Sequence, residues 1–276
     1  YGLDSNYWNH FETEESPEVL AFLKGNLEDL ANHYHALYQN PERPEEKPDH
    51  FAESAYWYRA FLASFPTDAD TPGIHYQLAD LLLQNEDFGE AADEYERIAY
   101  EYPTHERSSG AGYAAIFAHR KFESQVDETE NEAARRESVA STMRFIDTFP
   151  THEKAPAVLG AAIEDHYDLK DFLVAISSGQ RLLAEYPNAE VKIRRSAWTV
   201  IAHASFDTEA YDAVERAYVS VLGLSEPDDE TTAEITNNLA ATFYKQGEQA
   251  SAAKDHRAAA DHFLRIGTAA PTSTIR

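Results

Sequence analysis

Apolar residues recur along most of the chain at three- and four-residue spacing, which is the pattern of amphipathic helices. Between Pro72 and Pro103 this pattern predicts two helices of about 13 residues each, joined by a turn at Asn85 to Gly89. The apolar residues that would face each other across this helix pair are Leu78, Ala79 and Leu82 in the first helix and Ala91, Tyr95 and Ile98 in the second.

The same arrangement repeats along the chain, and a proline closes each repeat, in four cases directly after Phe or Tyr. A period of roughly 40 residues is typical of helical solenoids rather than of a globular enzyme domain. We therefore expect an all-α fold, an α-solenoid of about six antiparallel helix pairs whose function lies on a surface. The prolines that close the repeats are Pro66, Pro103, Pro150, Pro187, Pro227 and Pro271.

The repeat pattern divides the chain into six predicted units with short ends. Residues 1–15 are expected to form an N-terminal linker or cap, and residues 272–276 a tail that continues into further repeats, because repeat arrays ordinarily end in a capping helix. A mostly charged surplus in the third unit, Ser124 to Glu137, should lengthen its helices or form an exposed loop. The predicted units are 16–66, 72–103, 107–150, 156–187, 191–227 and 231–271.

The unit from Pro72 to Pro103 resembles the tetratricopeptide repeat (TPR), a helix pair of about 34 residues. His75 stands where the family has a large aromatic residue. The resemblance implies a right-handed superhelix whose concave surface, lined by the first helix of each pair, binds a peptide or a helix of a partner protein. The matching positions are Leu78, Ala79, Leu82, Phe88, Ala91, Tyr95, Ile98 and Pro103.

Carried over to this chain, the resemblance places residues of three first helices on the concave surface. Their character is acidic and tyrosine-bearing, which favours a protein or peptide partner with Lys or Arg and some apolar anchors. We expect charge reversal at Asp80, Glu164 and Asp168 to weaken partner binding without lowering the melting temperature. The residues predicted to bind the partner are Tyr76, Asp80, Gln84, Glu164, Tyr167, Asp168, Thr199, His203 and Phe206.

Charge and composition narrow the possible partners. The chain has 23 Lys and Arg against 49 Asp and Glu, a formal net charge of −26, so it should repel nucleic acid and anionic lipid. The short basic runs Arg135-Arg136 and Lys192 to Arg195 lie near acidic residues and are interpreted as solvated helix faces. No run of about 18 apolar residues predicts a membrane span. Such acidity also suits salty surroundings, where ions screen the self-repulsion.

The sequence carries no motif for catalysis, metal binding or cofactor binding. It contains no cysteine, which excludes disulfides, thiol catalysis and cysteine-based zinc sites. His33 and His35 are two positions apart, so their rings would face opposite sides of a helix and cannot share an ion. No phosphate-binding glycine loop, dinucleotide fingerprint or nucleophile elbow is present. We therefore predict a non-catalytic protein without a cofactor.

The Phe-Pro and Tyr-Pro repeat ends resemble those of TPR proteins of the bacterial cell envelope. That group includes the lipoprotein of outer-membrane β-barrel assembly and the periplasmic protein associated with Tol–Pal. The resemblance implies a periplasmic or cell-envelope scaffold in a multiprotein complex, with any targeting signal upstream of Tyr1. Two alternatives stay open: a cytoplasmic TPR adaptor or co-chaperone, and an accessory TPR module of a larger enzyme. The adaptor needs a clamp of Lys, Arg and Asn, whereas the matching positions are acidic or neutral.

Overall fold

The structure is a computed structural model that describes residues 17–40, 43–225 and 231–269. Within these ranges it contains 12 α-helices, one short 3-10 helix and no strand. The predicted all-α class is therefore confirmed. The predicted N-terminal cap at 1–15, the tail at 272–276 and two of the repeat-closing prolines, Pro227 and Pro271, lie outside the described residues.

The chain divides into two compact units, Tyr1–Ser141 and Thr142–Arg276, and the division falls within α6. A single 3-10 turn, Pro44–Glu46, precedes α2. The helices of the first unit are α1 (Pro17–Gln39), α2 (Lys47–Ser64), α3 (Thr71–Gln84), α4 (Phe88–Tyr100) and α5 (Ser108–Gln125), followed by α6 (Glu128–Thr148). Those of the second unit are α7 (Ala155–Asp168), α8 (Phe172–Glu185), α9 (Val191–Asp207), α10 (Tyr211–Leu224), α11 (Thr231–Ala252) and α12 (His256–Ala269).

Four helix pairs share one type of connecting turn, in which a residue with positive φ follows the first helix. In the α3–α4 turn the amide of Asp87 donates to the carbonyl of Leu82 at 3.0 Å, and the amide of Glu86 donates to that of Leu83 at 3.2 Å. This is the Schellman arrangement of a helix C-terminus, and equivalent bonds recur in the other three turns. The left-handed residues are Glu86 (φ 65°), Lys170 (62°), Glu209 (58°) and Lys254 (64°).

Consecutive helices pack against each other within each unit. In the first unit α1 to α5 do so in chain order, and in the second unit α7 to α12 do the same. In addition α7 packs directly on α9, so the first helices of two successive pairs are neighbours. The core of the last pairs is aliphatic and aromatic, with Val214, Tyr218, Val221 and Phe243 at its centre.

The charged surplus of the third predicted unit lengthens its helices instead of forming a loop. α5 continues to Gln125 and α6 begins at Glu128, so two residues connect them. At this turn the Asp127 carboxylate accepts the backbone amide of Thr129 at 2.9 Å, which is the bond of an N-cap. This pair therefore has a different turn from the four Schellman pairs.

Candidate functional site

Side chains of α7, α9, α10 and α11 surround a recess of about 280 Å³ in the second unit. Tyr167 comes from α7, His203 and Phe206 from α9, Tyr218 from α10 and Asn238 from α11. Three residues predicted for partner binding, Tyr167, His203 and Phe206, thus line one cavity. We call it the aromatic recess, and its lining residues are Tyr167, His203, Phe206, Asp207, Tyr218, Asn238 and Ala241.

Aromatic rings form most of the wall of the aromatic recess. The ring centroids of Tyr167 and His203 are 6.0 Å apart, and those of His203 and Tyr218 are 6.1 Å apart. Phe206 contacts the ring of Tyr211 at 5.4 Å. Within the described part of the chain, neither imidazole nitrogen of His203 has a hydrogen-bond partner. A bound group could therefore use that nitrogen.

Two carboxylates give the aromatic recess its charge. The hydroxyl of Tyr167 donates to Oδ2 of exposed Asp207 at 2.9 Å. Glu234 acts electrostatically on both His203 and Tyr218. Burial lowers the pKa of His203 in spite of these two carboxylates, and burial raises the pKa of Tyr218 to about 12. At neutral pH the rings are therefore uncharged, and the charged groups beside them are the carboxylates of Asp207 and Glu234.

The first unit has a counterpart of this arrangement on α3 and α4. Counted from the left-handed residue of each turn, Asp80 and Tyr95 occupy the positions that His203 and Tyr218 occupy in the α9–α10 pair. Tyr95 is buried, and its hydroxyl donates a short hydrogen bond to the carboxylate of Asp80. Here the two side chains bond to each other, whereas the hydroxyl of Tyr218 bonds to Asn238 and not to His203.

A second group of hydrogen-bonded side chains, on which the charge of Asp80 acts, lies near this contact. Because the hydroxyl of Tyr58 donates to Asn32 at 2.9 Å, Nδ1 of His35 is the donor in its 3.0 Å contact with Tyr58. Nε2 of His35 then accepts from Gln84 at 3.4 Å. Burial lowers the pKa of His35 against the opposing effect of Asp80. We call this set the α3 network: Asn32, His35, Tyr58, Asp80, Gln84 and Tyr95.

Tyr76, also predicted to bind the partner, lies beside the α3 network. Its ring centroid is 5.7 Å from that of Tyr95, and the guanidinium of Arg107 lies 5.6 Å from its ring. Burial raises the pKa of Asp80, although the Tyr95 hydrogen bond and the charges of His35 and Arg107 oppose this. The predicted residues Tyr76, Asp80 and Gln84 are therefore engaged with side chains of the protein itself.

The expectation that charge reversal at Asp80 leaves the melting temperature unchanged is corrected by the structure. Asp80 is half-buried and accepts the hydroxyl of buried Tyr95, so a lysine there would break this hydrogen bond and bury a second cation near Arg107. Glu164 and Asp168 are exposed, and Glu164 accepts the hydroxyl of Ser196. These two positions remain suitable for charge reversal.

Not every predicted residue joins the aromatic recess. Glu164, Asp168 and Thr199 are absent from its lining, and the hydroxyl of Thr199 donates to the carbonyl of Arg195 in its own helix at 3.0 Å. Two lining residues, Asp207 and Asn238, were not predicted from the sequence, and Tyr218 both lines the recess and belongs to the buried core. The spacing of His203 and Asp207, four positions apart on one helix face, was a signal that could have identified Asp207.

No group of three or more His, Asp or Glu side chains in the described part of the chain is placed to hold a metal ion. None of the helices described is both long and apolar enough to cross a membrane.

No protein-family model matches the chain, and no curated protein matches it. Solved structures resemble it at low identity. BtubC (BKLC) from P. vanneervenii is 12% identical with a TM-score of 0.39, over 91% of this chain and 90% of that one. A thermophilic TPR protein from Thermus thermophilus is 15% identical with a TM-score of 0.37, over 78% of this chain and 98% of that one.

A third similar structure is a signal transduction ATPase with numerous domains (STAND) that carries a tetratricopeptide repeat sensor, from Pyrococcus horikoshii. It is 12% identical with a TM-score of 0.41, over 95% of this chain and 45% of that one. TM-scores this low assign the chain neither to a family nor to a function.

Proposed function

We propose that the protein is a non-catalytic interaction scaffold of the TPR type, which binds a peptide or a helix of a partner protein along its first helices. The observation that carries this proposal is the aromatic recess, to which α7, α9 and α11, the first helices of three successive pairs, all contribute side chains. An elongated ligand that crosses successive first helices would meet this recess on its way. The recurring Schellman turns support the repeat character of the chain.

The chemistry of the recess supports a peptide ligand with basic and apolar side chains. Its aromatic walls offer contact area with few rotatable bonds, and Asp207 and Glu234 favour a cationic group. The chain as a whole carries a net charge of −26, which speeds the encounter with a basic partner at low salt.

The proposal can be tested by selecting binders from a random peptide library displayed on phage. The affinity of the enriched peptides is then measured for the parent protein and for two variants. Ala241→Tyr fills the aromatic recess, because Ala241 lines it. Ala184→Tyr is the matched control, since Ala184 is an exposed residue of the second helix α8. Circular dichroism checks that both variants keep the helical content of the parent.

We expect the enriched peptides to bind Ala241→Tyr at least tenfold more weakly than the parent and Ala184→Tyr equally well. A tenfold loss corresponds to about 1.4 kcal/mol of binding free energy. Failure to enrich any peptide, or equal affinity for the two variants, would overturn the proposal.

The finer part of the proposal is a location in the bacterial cell envelope, within a multiprotein complex. It is supported by the resemblance of the Phe-Pro and Tyr-Pro repeat ends to those of envelope TPR proteins. Cell fractionation with an antibody against the protein tests it directly. Recovery with periplasmic and membrane fractions is expected, and recovery with the cytoplasm would favour the adaptor alternative.

A further inference from the structure

We propose that the aromatic recess binds an arginine side chain of the partner, with the guanidinium against the rings that line it and beside Asp207. This inference rests on the proposed function, because it assumes a partner peptide that lies along the first helices. It adds the identity of the side chain that the recess selects.

The first unit shows how this protein pairs an aromatic face with a cation. Arg107 places its guanidinium 5.6 Å from the ring of Tyr76, and its charge also acts on the carboxyl of Asp80. An arginine of the chain itself thus occupies the space beside an aromatic ring and a carboxylate on a first helix. Attraction between a guanidinium and a ring at this distance is a cation–π interaction.

Among the residues that the structure describes, no cation has this role in the aromatic recess. Lys47 lies 4.6 Å from the ring of Tyr38 and Arg265 4.2 Å from that of Phe243, so basic side chains cover aromatic faces elsewhere. Among the described residues, none lies over the rings of the recess, which belong to Tyr167, His203, Phe206 and Tyr218. The rings of the recess are therefore available to a cation from a partner.

The residues that directly precede α5 and α11 also differ in charge. Arg107 directly precedes α5, which follows the α3–α4 pair, whereas Glu230 directly precedes α11, which follows the α9–α10 pair. Where the first unit supplies an arginine, the sequence of the second unit has an acidic residue.

The negative charges and the hydrogen-bond acceptors of the recess favour binding of a guanidinium. Glu234 and Asp207 both act on His203, so a cation that enters the recess meets two negative charges. The guanidinium can donate to the carboxylate of Asp207, whose other contact is the hydroxyl of Tyr167 at 2.9 Å. It can also donate to the neutral imidazole of His203, which has no partner within the described chain.

The size of the recess and the properties of arginine make the choice specific. At about 280 Å³ the recess is slightly smaller than the roughly 300–1,000 Å³ of whole-ligand pockets, so it suits one long side chain. Arginine is preferred over lysine because its planar guanidinium stacks on rings and is more weakly hydrated than an ammonium group. Lysine would leave more of its hydration shell to be removed.

The test uses three blocked pentapeptides that differ at one position: Ala-Leu-Arg-Leu-Ala, the same peptide with lysine, and the same peptide with citrulline. Citrulline keeps the shape of arginine without its charge. Each peptide is titrated into the whole chain, and the Cε1–H resonance of His203 is followed by NMR. His203→Gln identifies that resonance. The concentration dependence of its shift yields the Kd of each peptide.

Two double variants separate local charge from net charge. Asp207→Asn with Glu234→Gln removes the charges at the recess and keeps an oxygen acceptor for Tyr167. Asp93→Asn with Glu101→Gln, at exposed positions of the first unit, changes the net charge equally and is the control.

We expect the arginine peptide to bind at least tenfold more tightly than the citrulline peptide and severalfold more tightly than the lysine peptide. The recess variant should lose this preference, and the control variant should keep it. Equal affinity for arginine and citrulline, or loss of the preference in the control variant, would overturn the inference.

Failure of this inference can be told apart from failure of the proposed function. If library peptides depend on the recess but contain no shared arginine, the scaffold proposal stands and the arginine inference fails. If no library peptide is enriched while the arginine peptide shifts His203 and prefers arginine over citrulline, the recess binds arginine, but the proposed binding of a longer peptide along the first helices fails.

Discussion

The α3 network and the aromatic recess use matching positions of two helix pairs. In the α3 network these side chains bond to each other, whereas in the recess they line a cavity. In the first unit Tyr95 donates to Asp80, whereas in the second the matching pair, Tyr218 and His203, meets through ring contact at 6.1 Å. A carboxylate accepts a tyrosine hydroxyl directly, whereas the hydroxyl of Tyr218 bonds to Asn238 and only its ring contacts His203. A single residue type on the first helix thus accompanies the change from an internal bond to a cavity.

A second matched pair of positions shows the same contrast. Gln84 and Asp207 stand at the same distance before the left-handed residue of their turns. Gln84 both donates to His35 and accepts from Gln39, at 3.4 and 3.1 Å, so its amide is committed within the first unit. Asp207 accepts from Tyr167 and is otherwise exposed. The same backbone arrangement therefore carries polar side chains that bond to each other in one unit and side chains that line a candidate binding site in the other.

The largest expected effect separates the two tyrosines. Tyr95→Phe should lower the free energy of unfolding by about 1–3 kcal/mol, because the half-buried carboxyl of Asp80 loses its donor. Tyr218→Phe should cost about 1 kcal/mol or less, since its hydroxyl bonds to Asn238 at the edge of a cavity. Urea unfolding of both variants measures the difference. Equal losses of unfolding free energy in the two variants would show that the hydroxyl of Tyr95 stabilises the protein no more than that of Tyr218.

A smaller effect concerns the pH dependence of stability. Burial raises the pKa of Asp80 in the folded chain above the ordinary 3.8 that it has in the unfolded chain. Between the unfolded-state and the folded-state pKa, the folded chain therefore keeps a proton that the unfolded chain has lost. The ionisation of Asp80 therefore lowers stability as pH rises through that window, and the loss persists at higher pH. Asp80→Asn, which still accepts the Tyr95 hydroxyl, should unfold with a larger free energy than the parent near neutral pH.

This advantage of Asp80→Asn should shrink as pH falls below the ordinary value of 3.8, where the parent carboxyl is protonated in both states. Urea unfolding at several pH values checks it. Asp93→Asn, at an exposed position of α4, controls for the loss of one carboxylate. An advantage of Asp80→Asn that grows on acidification would contradict the burial of this group.

The smallest effect should be equal in the two units, because it concerns the turns that they share. Glu86→Gly and Glu209→Gly place glycine at φ values of 65° and 58°, and each should stabilise the chain by about 1 kcal/mol at most, since glycine has no steric penalty there but loses more chain entropy. Asp93→Gly inside α4 should instead destabilise it. Thermal unfolding distinguishes these signs, and a gain in one unit alone would mean that the turns differ.

The sequence predicted the helix pairs well because their signals are local. The stripe of Leu78 and Leu82 and the turn predicted at Asn85 to Gly89 depend on neighbours within a few residues. In the structure α3 ends at Gln84 and α4 begins at Phe88, so the last two residues of the predicted turn are already helical. For the candidate site the sequence identified Tyr167, His203 and Phe206 through a family pattern. It could not show that these three share a cavity, since they come from α7 and α9.

What the sequence determined by itself is the repeating helix pair, because hydrophobic spacing and turn residues act over short distances along the chain. The tertiary structure alone decided that Asp80 is closed off by Tyr95 and that His203 faces a cavity with Tyr218 and Asn238. These contacts join different helices, and the fate of each polar group depends on which side chain packing brings within hydrogen-bond distance of it.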